Sequence, residues 1–320
     1  MSRQLRRLNA DIIFCVIKEN NMQTTKHIWQ NGEMKLWENT MTHVLSHSLH
    51  YGSGVFEGIR VYETSRGGAI FRLDEHIDRL YYSANAIKMK MPWTKEEFKN
   101  AIVETVKING LKQGYIRPLI YYGYGELRIS PLGCPVEGII AAWPWGKYLS
   151  ADPIKVKVAD YIRIHPQSSV ADAKICGHYV NSILSFLQVN GEGYDEALLL
   201  DFNGNIAEGP GENFFLVKDG KLVTPKLGTI LAGITRKSII ELARELGYET
   251  EEKTITLDEV MSADECFFTG TAAEVTPIGS INGEPVAGGK TGLITARLNE
   301  EFMRIVSGEN DKYKKWLTYV

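Results

Sequence analysis

Ser169-Val-Ala-Asp-Ala-Lys-Ile-Cys-Gly-His-Tyr179 is the stretch on which the reading of this chain turns. Lys174 stands among small or apolar neighbours, Val170, Ala171, Ala173, Ile175, Cys176 and Gly177, and the nearest charge is Asp172. Removal from water disfavours an ammonium ion, so such a setting lowers an amine's pKa and lets it attack a carbonyl to form a Schiff base. Taken alone, a lysine in a loop reads equally well as a solvated surface charge. The segment decides the matter only if the rest of the chain supplies what such an amine needs.

The totals narrow the field. The chain has 320 residues, 44% hydrophobic and 23% charged, with a formal net charge of -3. Such a balance carries no electrostatic footprint for nucleic acid or a membrane surface and points to small-molecule chemistry. Cys15, Cys134, Cys176 and Cys266 are scattered, with no metal-ligand spacing, and the seven histidines form no zinc motif, so no metal is expected and a reduced cytoplasm fits. Arg3, Arg6 and Arg7 precede the apolar run Ile12 to Ile17, which is too short for a signal peptide and lacks a cleavage site. Residues 1–21 are therefore expected to be an extension ahead of the first domain.

Outward from Lys174 the pattern is α+β. His27 to Trp37 reads as a hairpin turning at Asn31-Gly32, and Gly52, Gly54 and Gly58 allow close backbone packing before a strand from Gly58 to Tyr62. A helix is predicted over 74–90 with Asp74 as N-cap, and another over 95–109 with a Thr94/Glu97 capping box and Gly110 as stop. Strands follow at Tyr115 to Tyr122 and Gly138 to Trp145, then a Pro/Gly-bearing stretch over 146–153 that reads as a linker. The second half opens with a strand from Ile154 to Ile164. Beyond the lysine loop comes a helix from Tyr179 to Asn190 with Ile183, Leu184 and Leu187 on one face. Short strands run from Glu196 to Lys226, helices cover Thr235 to Leu246 and Leu257 to Ala263, Cys266 to Thr269 is a strand, and helices close the chain, the last near Lys312 to Leu317. The expectation is a smaller domain over 22–145 and a larger one over 154–320, with mainly antiparallel sheets.

Four features are candidates to hold an anion and a ring. Leu231-Ala-Gly-Ile-Thr-Arg236 sets Gly233 and Thr235 at a helix N-terminus, where free amides and the dipole attract negative charge. Phe268-Thr-Gly-Thr-Ala-Ala-Glu-Val-Thr-Pro277 offers amides and hydroxyls in a turn, and Arg60 has a fork suited to phosphate. Glu208, in a glycine-rich corner, is a carboxylate able to pair with a protonated ring nitrogen. Singly, these also read as a helix cap, a turn, an exposed strand arginine and a solvated loop acid.

Together with His50-Tyr-Gly-Ser-Gly-Val-Phe-Glu-Gly-Ile-Arg60, Tyr115-Ile-Arg-Pro118 and Ala173 to Tyr179, these motifs resemble, in order and spacing, the branched-chain amino acid aminotransferases of the fold-type IV pyridoxal-phosphate enzymes. The resemblance runs from about Ile28 to the C-terminus. It implies a two-domain fold, pyridoxal 5'-phosphate as cofactor, amino acid and 2-oxo acid substrates, and a homodimer or higher homo-oligomer with active sites near the interface. Position by position it implies that Lys174 is the Schiff-base lysine, that Tyr179 meets the cofactor phenolate, and that Glu208 meets the ring nitrogen. It places Arg60, Ile234, Thr235, Gly270 and Thr271 at the phosphate and Leu231 under the ring. Tyr115, with the backbone of Thr271 and Ala272, is expected at the substrate α-carboxylate, and Arg117 at the distal carboxylate of glutamate. Tyr51, Phe56, Trp145 and Tyr148 are expected to line the side-chain pocket, some of them across a subunit interface.

Cys176, His178 and Pro210 depart from the family pattern, and residues 123 to 135 match it poorly. Alternatives of the same fold are a D-amino-acid aminotransferase and an aminodeoxychorismate lyase. A non-catalytic binding protein on this scaffold is the alternative from another class.

Overall fold

The computed structural model describes residues 23–146 and 152–320. The extension over 1–21, most of the 146–153 linker and Tyr148 therefore lie outside the described residues.

The first hairpin, β1 (His27–Gln30) and β2 (Glu33–Leu36), turns at Asn31-Gly32, both with positive φ. A short helix α1 (His47–Tyr51) leads into β3 (Gly54–Phe56), β4 (Ile59–Thr64) and β5 (Gly67–Phe71). Two helices follow, α2 (Leu73–Ala86) and α3 (Lys95–Ile108), then β6 (Gly114–Tyr122) and β7 (Val136–Trp143). The α3 capping box is present as expected, Thr94 and Glu97 each satisfying the other's backbone N–H. At α2 the expected cap is corrected: Arg72, in the left-handed region, precedes the helix, and Asp74 lies inside its first turn. The helix also stops short of residue 90, and Lys88, at φ 60°, lies beyond its end.

The second half begins with β8 (Ile154–Val158), shorter than the alternation to Ile164 suggested. Its ladder to β9 (Glu196–Leu198) ends at Val158, and beyond it the segments exchange isolated backbone bonds, Ala159 N–H to Leu198 C=O and Arg163 N–H to Leu200 C=O, instead of a continuous ladder. Between them stands α4 (Tyr179–Asn190). There follow β10 (Asn213–Lys218), β11 (Lys221–Pro225), α5 (Ile234–Glu245), β12 (Thr250–Lys253), α6 (Leu257–Met261), β13 (Glu265–Gly270), β14 (Glu274–Ile281), β15 (Glu284–Pro285), α7 (Leu293–Val306) and β16 (Leu317–Tyr319). The predicted terminal helix near Lys312 to Leu317 is a 3-10 segment, Asp311–Trp316, running into β16.

One sheet has the order β16-β5-β4-β6-β7-β1-β2, with β3 against β6, and all its pairs are antiparallel. The other runs β12-β11-β10-β13-β14-β8-β9, with β15 against β14; its centre is antiparallel and its flanks are parallel. The last strand thus returns to the first sheet. Each sheet buries one face on helices: Ile77, Leu80, Phe98 and Ile102 pack on the first, while Phe71, Phe215, Phe267, Leu298 and Phe302 form a core drawn from both sheets. Burying apolar surface of this extent is the main favourable term in folding. α4 is the exception: Ser185 and Val189 face inward, and its apolar face carries Val180, Ile183 and Leu187, each more than half exposed.

Candidate active site

The lysine loop is pinned from both sides. Lys174 N–H donates to Ser83 Oγ of α2 at 2.9 Å, and Lys174 C=O accepts from Phe56 N–H at 3.2 Å. Close approach of the 50s and 170s segments depends on glycine: a Cβ on Gly52 would lie 2.7 Å from Gly177 Cα. The side chain is half-buried, its ammonium 4.8 Å and 5.0 Å from the ring centres of Phe56 and Tyr179, and Nζ donates to Tyr179 Oη at 2.5 Å. Lys174 is therefore not a solvated surface charge.

Nζ opens on a cavity of about 180 Å³. Its walls gather Phe56, Tyr115, Arg117, Trp145, Tyr179, Leu231, Ile234, Thr235, Gly270, Thr271 and Ala272 from distant parts of the chain. The α5 N-terminus opens here, and Gly233 offers no side chain to cap it, so the first-turn amides remain available to an anion. A Cβ on Gly233 would collide with Asn213 Oδ1. Arg117 lies 4.8 Å over Phe56 and donates to Tyr115 Oη at 3.3 Å.

Glu208 borders a smaller adjoining space of about 30 Å³ that also touches Lys174, Tyr179 and Leu231. Burial pushes its carboxyl up, against the pull of Arg163. It accepts from Arg163 Nε at 2.5 Å, Asn213 Nδ2 at 2.9 Å and the Leu231 amide at 3.1 Å. Arg163 and Asn213 were not singled out in the sequence. The signal for Asn213 was its place in the Glu208-to-Asn213 corner, whereas Arg163 sat unmarked in an apparent strand.

Arg60 stands elsewhere. Its guanidinium donates to the carbonyls of Thr271, Ala272 and Trp145 at 3.2 to 3.4 Å and lies outside the cavity lining. Besides Arg117, the cavity is lined by Arg79, which sequence reading passed over and whose Nη1 donates to Ala232 C=O one residue before Gly233. Tyr51 also lies outside the lining, 44% exposed.

A phosphorylated pyridine fits these residues. The cavity holds two buried polar atoms without a hydrogen-bond partner, Thr269 Oγ1 and Arg117 Nε, besides an open helix N-terminus. Buried polar groups ordinarily find partners, so orphans lining a cavity mark a place where a polar ligand completes the set. An amine, an anion-binding helix end and a buried carboxylate, each within reach of one cavity in an α+β fold, define the class of pyridoxal-phosphate-dependent aminotransferases. Residues 54–281 match the family model Amino-transferase class IV, and the chain belongs to that family.

Within the family its relatives are consistent. The branched-chain-amino-acid aminotransferase of Pseudomonas aeruginosa is 44% identical over 92% of this chain and 97% of that protein. The Escherichia coli K12 enzyme of the same name is 41% identical over 93% and 99%. Among solved structures, the T.th. branched-chain amino acid aminotransferase with pyridoxamine 5'-phosphate superposes with a TM-score of 0.91 at 44% identity, covering 93% of this chain and 99% of that one. The same enzyme complexed with N-(5'-phosphopyridoxyl)-L-glutamate gives 0.90, with 92% and 98% covered.

Proposed function

We propose that this chain transfers amino groups between the branched-chain L-amino acids leucine, isoleucine and valine and 2-oxoglutarate, in a ping-pong exchange that uses pyridoxal 5'-phosphate. The observation that carries the reading is Lys174 Nζ, hydrogen-bonded to Tyr179 at the wall of a cavity that also receives the α5 N-terminus. When bound, pyridoxal phosphate supplies an electron-accepting ring for the pair released as the substrate Cα–H bond breaks.

The chain's own residues do the rest. Lys174 Nζ is the base that takes the Cα proton and the acid that returns it. Tyr179 Oη, accepting from Nζ, orients the amine and would be the partner of the ring's phenolate oxygen. Glu208 holds a proton on the ring nitrogen, and its three donors oppose the cost of burying its charge. The amides of Ile234, Thr235 and Thr271, with the Arg79 cation, would hold the phosphate, and Leu231, at the same cavity wall, would offer apolar surface to the ring. Arg60 serves this cup from behind by holding the Thr271 and Ala272 carbonyls.

Tyr115 with the 271–272 backbone receives the substrate α-carboxylate. Arg117, at the cavity wall against Phe56, meets the distal carboxylate of glutamate, while Phe56 and Trp145 present apolar surface to a branched side chain. An arginine stacked on aromatic faces can serve both substrates, because the rings and a phenol relieve its isolation when leucine is bound.

We place the enzyme in the cytoplasm as a homodimer or higher homo-oligomer. No helix of the described residues is long and apolar enough to cross a membrane. Met41, Val44, Leu49, Ile129 and Leu132 are exposed on segments joined through the Ser46–Tyr124 bridge, and α4 exposes a second apolar face. Large exposed apolar side chains gathered on neighbouring segments favour association. Such an interface would bring Tyr51 to a neighbour's site.

The test is a donor screen with 2-oxoglutarate, together with borohydride reduction of the pyridoxal-phosphate-loaded protein. L-leucine turnover with covalent attachment at Lys174 is expected. Preference for D-alanine would assign the D-amino-acid enzyme instead, and the absence of attachment would favour a binding protein.

A further inference from the structure

The most deeply buried ionic cluster among the described residues is not in the cavity but behind it. Glu57, 0% exposed, sits in the turn between β3 and β4. Its Oε1 accepts from Arg79 Nε at 2.6 Å and its Oε2 from Arg79 Nη2 at 2.8 Å, a two-pronged pairing along one edge of the guanidinium. His76, 1% exposed, contacts the same Oε2 through Nδ1 at 2.7 Å, and its Nε2 is buried without a partner. Burial lowers the His76 pKa against the pull of Glu57, and because an ionised carboxylate only accepts, Nδ1–H is the donor in this contact. Burial would raise Glu57, but Arg79 and His76 hold it well below the usual carboxylate range.

Stability does not account for this cluster, because desolvating such a pair costs about as much as the attraction returns. Its geometry has another use. With Nε and Nη2 spent on Glu57, Arg79 turns its remaining edge outward, and Nη1 donates to Ala232 C=O beside the open N-terminus of α5. His76, Arg79 and Ser83 are spaced three and four residues apart on one face of α2, so the face that holds the Lys174 amide also carries Arg79. The cavity's amine and its anion end are referred to one rigid helix.

We propose that Glu57 and His76 are positioning residues: they fix Arg79 in the orientation in which it acts as the cation of the phosphate cup. The proposal rests on the function proposed above and assigns the two residues no contact with the substrate or the reacting atoms.

The experiment compares three probes on the full-length apoprotein: pyridoxal 5'-phosphate, pyridoxal without the phosphate, and inorganic phosphate. Glu57→Gln is expected to weaken both phosphate-bearing probes about tenfold or more, the scale of a hydrogen bond to a charged group, and to leave pyridoxal nearly unchanged. His76→Leu should shift the same two probes in the same direction. His76→Asn, whose amide nitrogen can take the place of Nδ1, should restore them, and this pair decides the matter if Glu57→Gln does not fold. An equal loss for pyridoxal and its phosphate, or unaltered phosphate binding in the His76 variants, overturns the proposal. Wild-type protein that binds phosphate but is not fixed at Lys174 by borohydride would instead defeat the functional reading.

Discussion

Substituting Gly58 by alanine tests the geometry of the substrate end most sharply. An added Cβ would lie 1.8 Å from Tyr115 Oη and 2.7 Å from Cζ, against an optimal separation of about 3.5 Å. The hydroxyl must therefore retreat by about 1.5 Å or more to restore ordinary contact. It has little room, because the ring lies edge-on to Trp145 at 4.4 Å and against Trp143 at 5.3 Å, and it is 5% exposed. Overpacking of this kind costs about 1–3 kcal/mol of stability. A functional cost of similar size is added, because Tyr115 Oη is also the partner of Arg117 Nη2. A displacement near 1 Å at a positioning group can cost on the order of a hundredfold in kcat/KM. Steady-state kinetics with leucine, glutamate and 2-oxoglutarate should show KM rising at least about tenfold for all three, with cofactor absorbance retained. A lowered melting temperature with unchanged KM values would refute the assignment of Tyr115 to the substrate carboxylate.

Three further outcomes follow from the same geometry. Arg117→Gln should reduce kcat/KM for glutamate and 2-oxoglutarate about ten- to hundredfold while sparing leucine, which a two-substrate comparison reads directly; equal losses would contradict it. Glu208→Gln should destabilise the fold by about 3–5 kcal/mol in denaturant titrations, because Arg163, 11% exposed, would lose its counter-charge. Glu212 and Glu196 are both buried, and burial first, then a neighbouring carboxylate (Glu208 for Glu212, Glu212 for Glu196), pushes both carboxyls up. The folded state thus holds these protons more tightly than the unfolded chain. The stabilisation is complete below the ordinary value of 4.5 and is lost as pH rises through the raised one, about 7 for Glu212. The melting temperature should fall across that window and Glu212→Gln should flatten the fall; an unchanged slope in the variant would locate the proton elsewhere.

The hairpin at Asn31-Gly32, the capping box at Thr94 and the helix from Tyr179 to Asn190 were legible because each rests on contacts within a few residues. Misreadings share a cause. The strand from Ile154 stopped at Val158 because a ladder needs a continuous partner, and the register with β9 ends at Leu198, past which the bonds are isolated, as from Arg163 N–H to Leu200 C=O. The apolar face of α4 pointed outward because periodicity locates a stripe and not what covers it.

The choice of arginine shows the limit at the site. All of Ile59, Arg60, Val61 and Tyr62 are buried, so alternation along β4 does not tell which side faces the cavity. Arg60 meets Thr271 and Ala272 across more than 200 residues, whereas Arg79 reaches the cup from a helix read only for its apolar stripe.

Local sequence by itself located the elements that close within a few residues, such as the first hairpin and α3, and the order and spacing of the motifs determined the family and singled out Lys174, Tyr179 and Glu208. Both depend on short-range chemistry or on a linear pattern. Only the tertiary structure decided that Arg163 balances Glu208, that Arg79 lines the cavity and Arg60 lies outside it, and that Glu57 and His76 stand behind Arg79. Each of those is a pairing of buried charge between separate elements, and its sign and direction exist only once the sheets and α2 have packed.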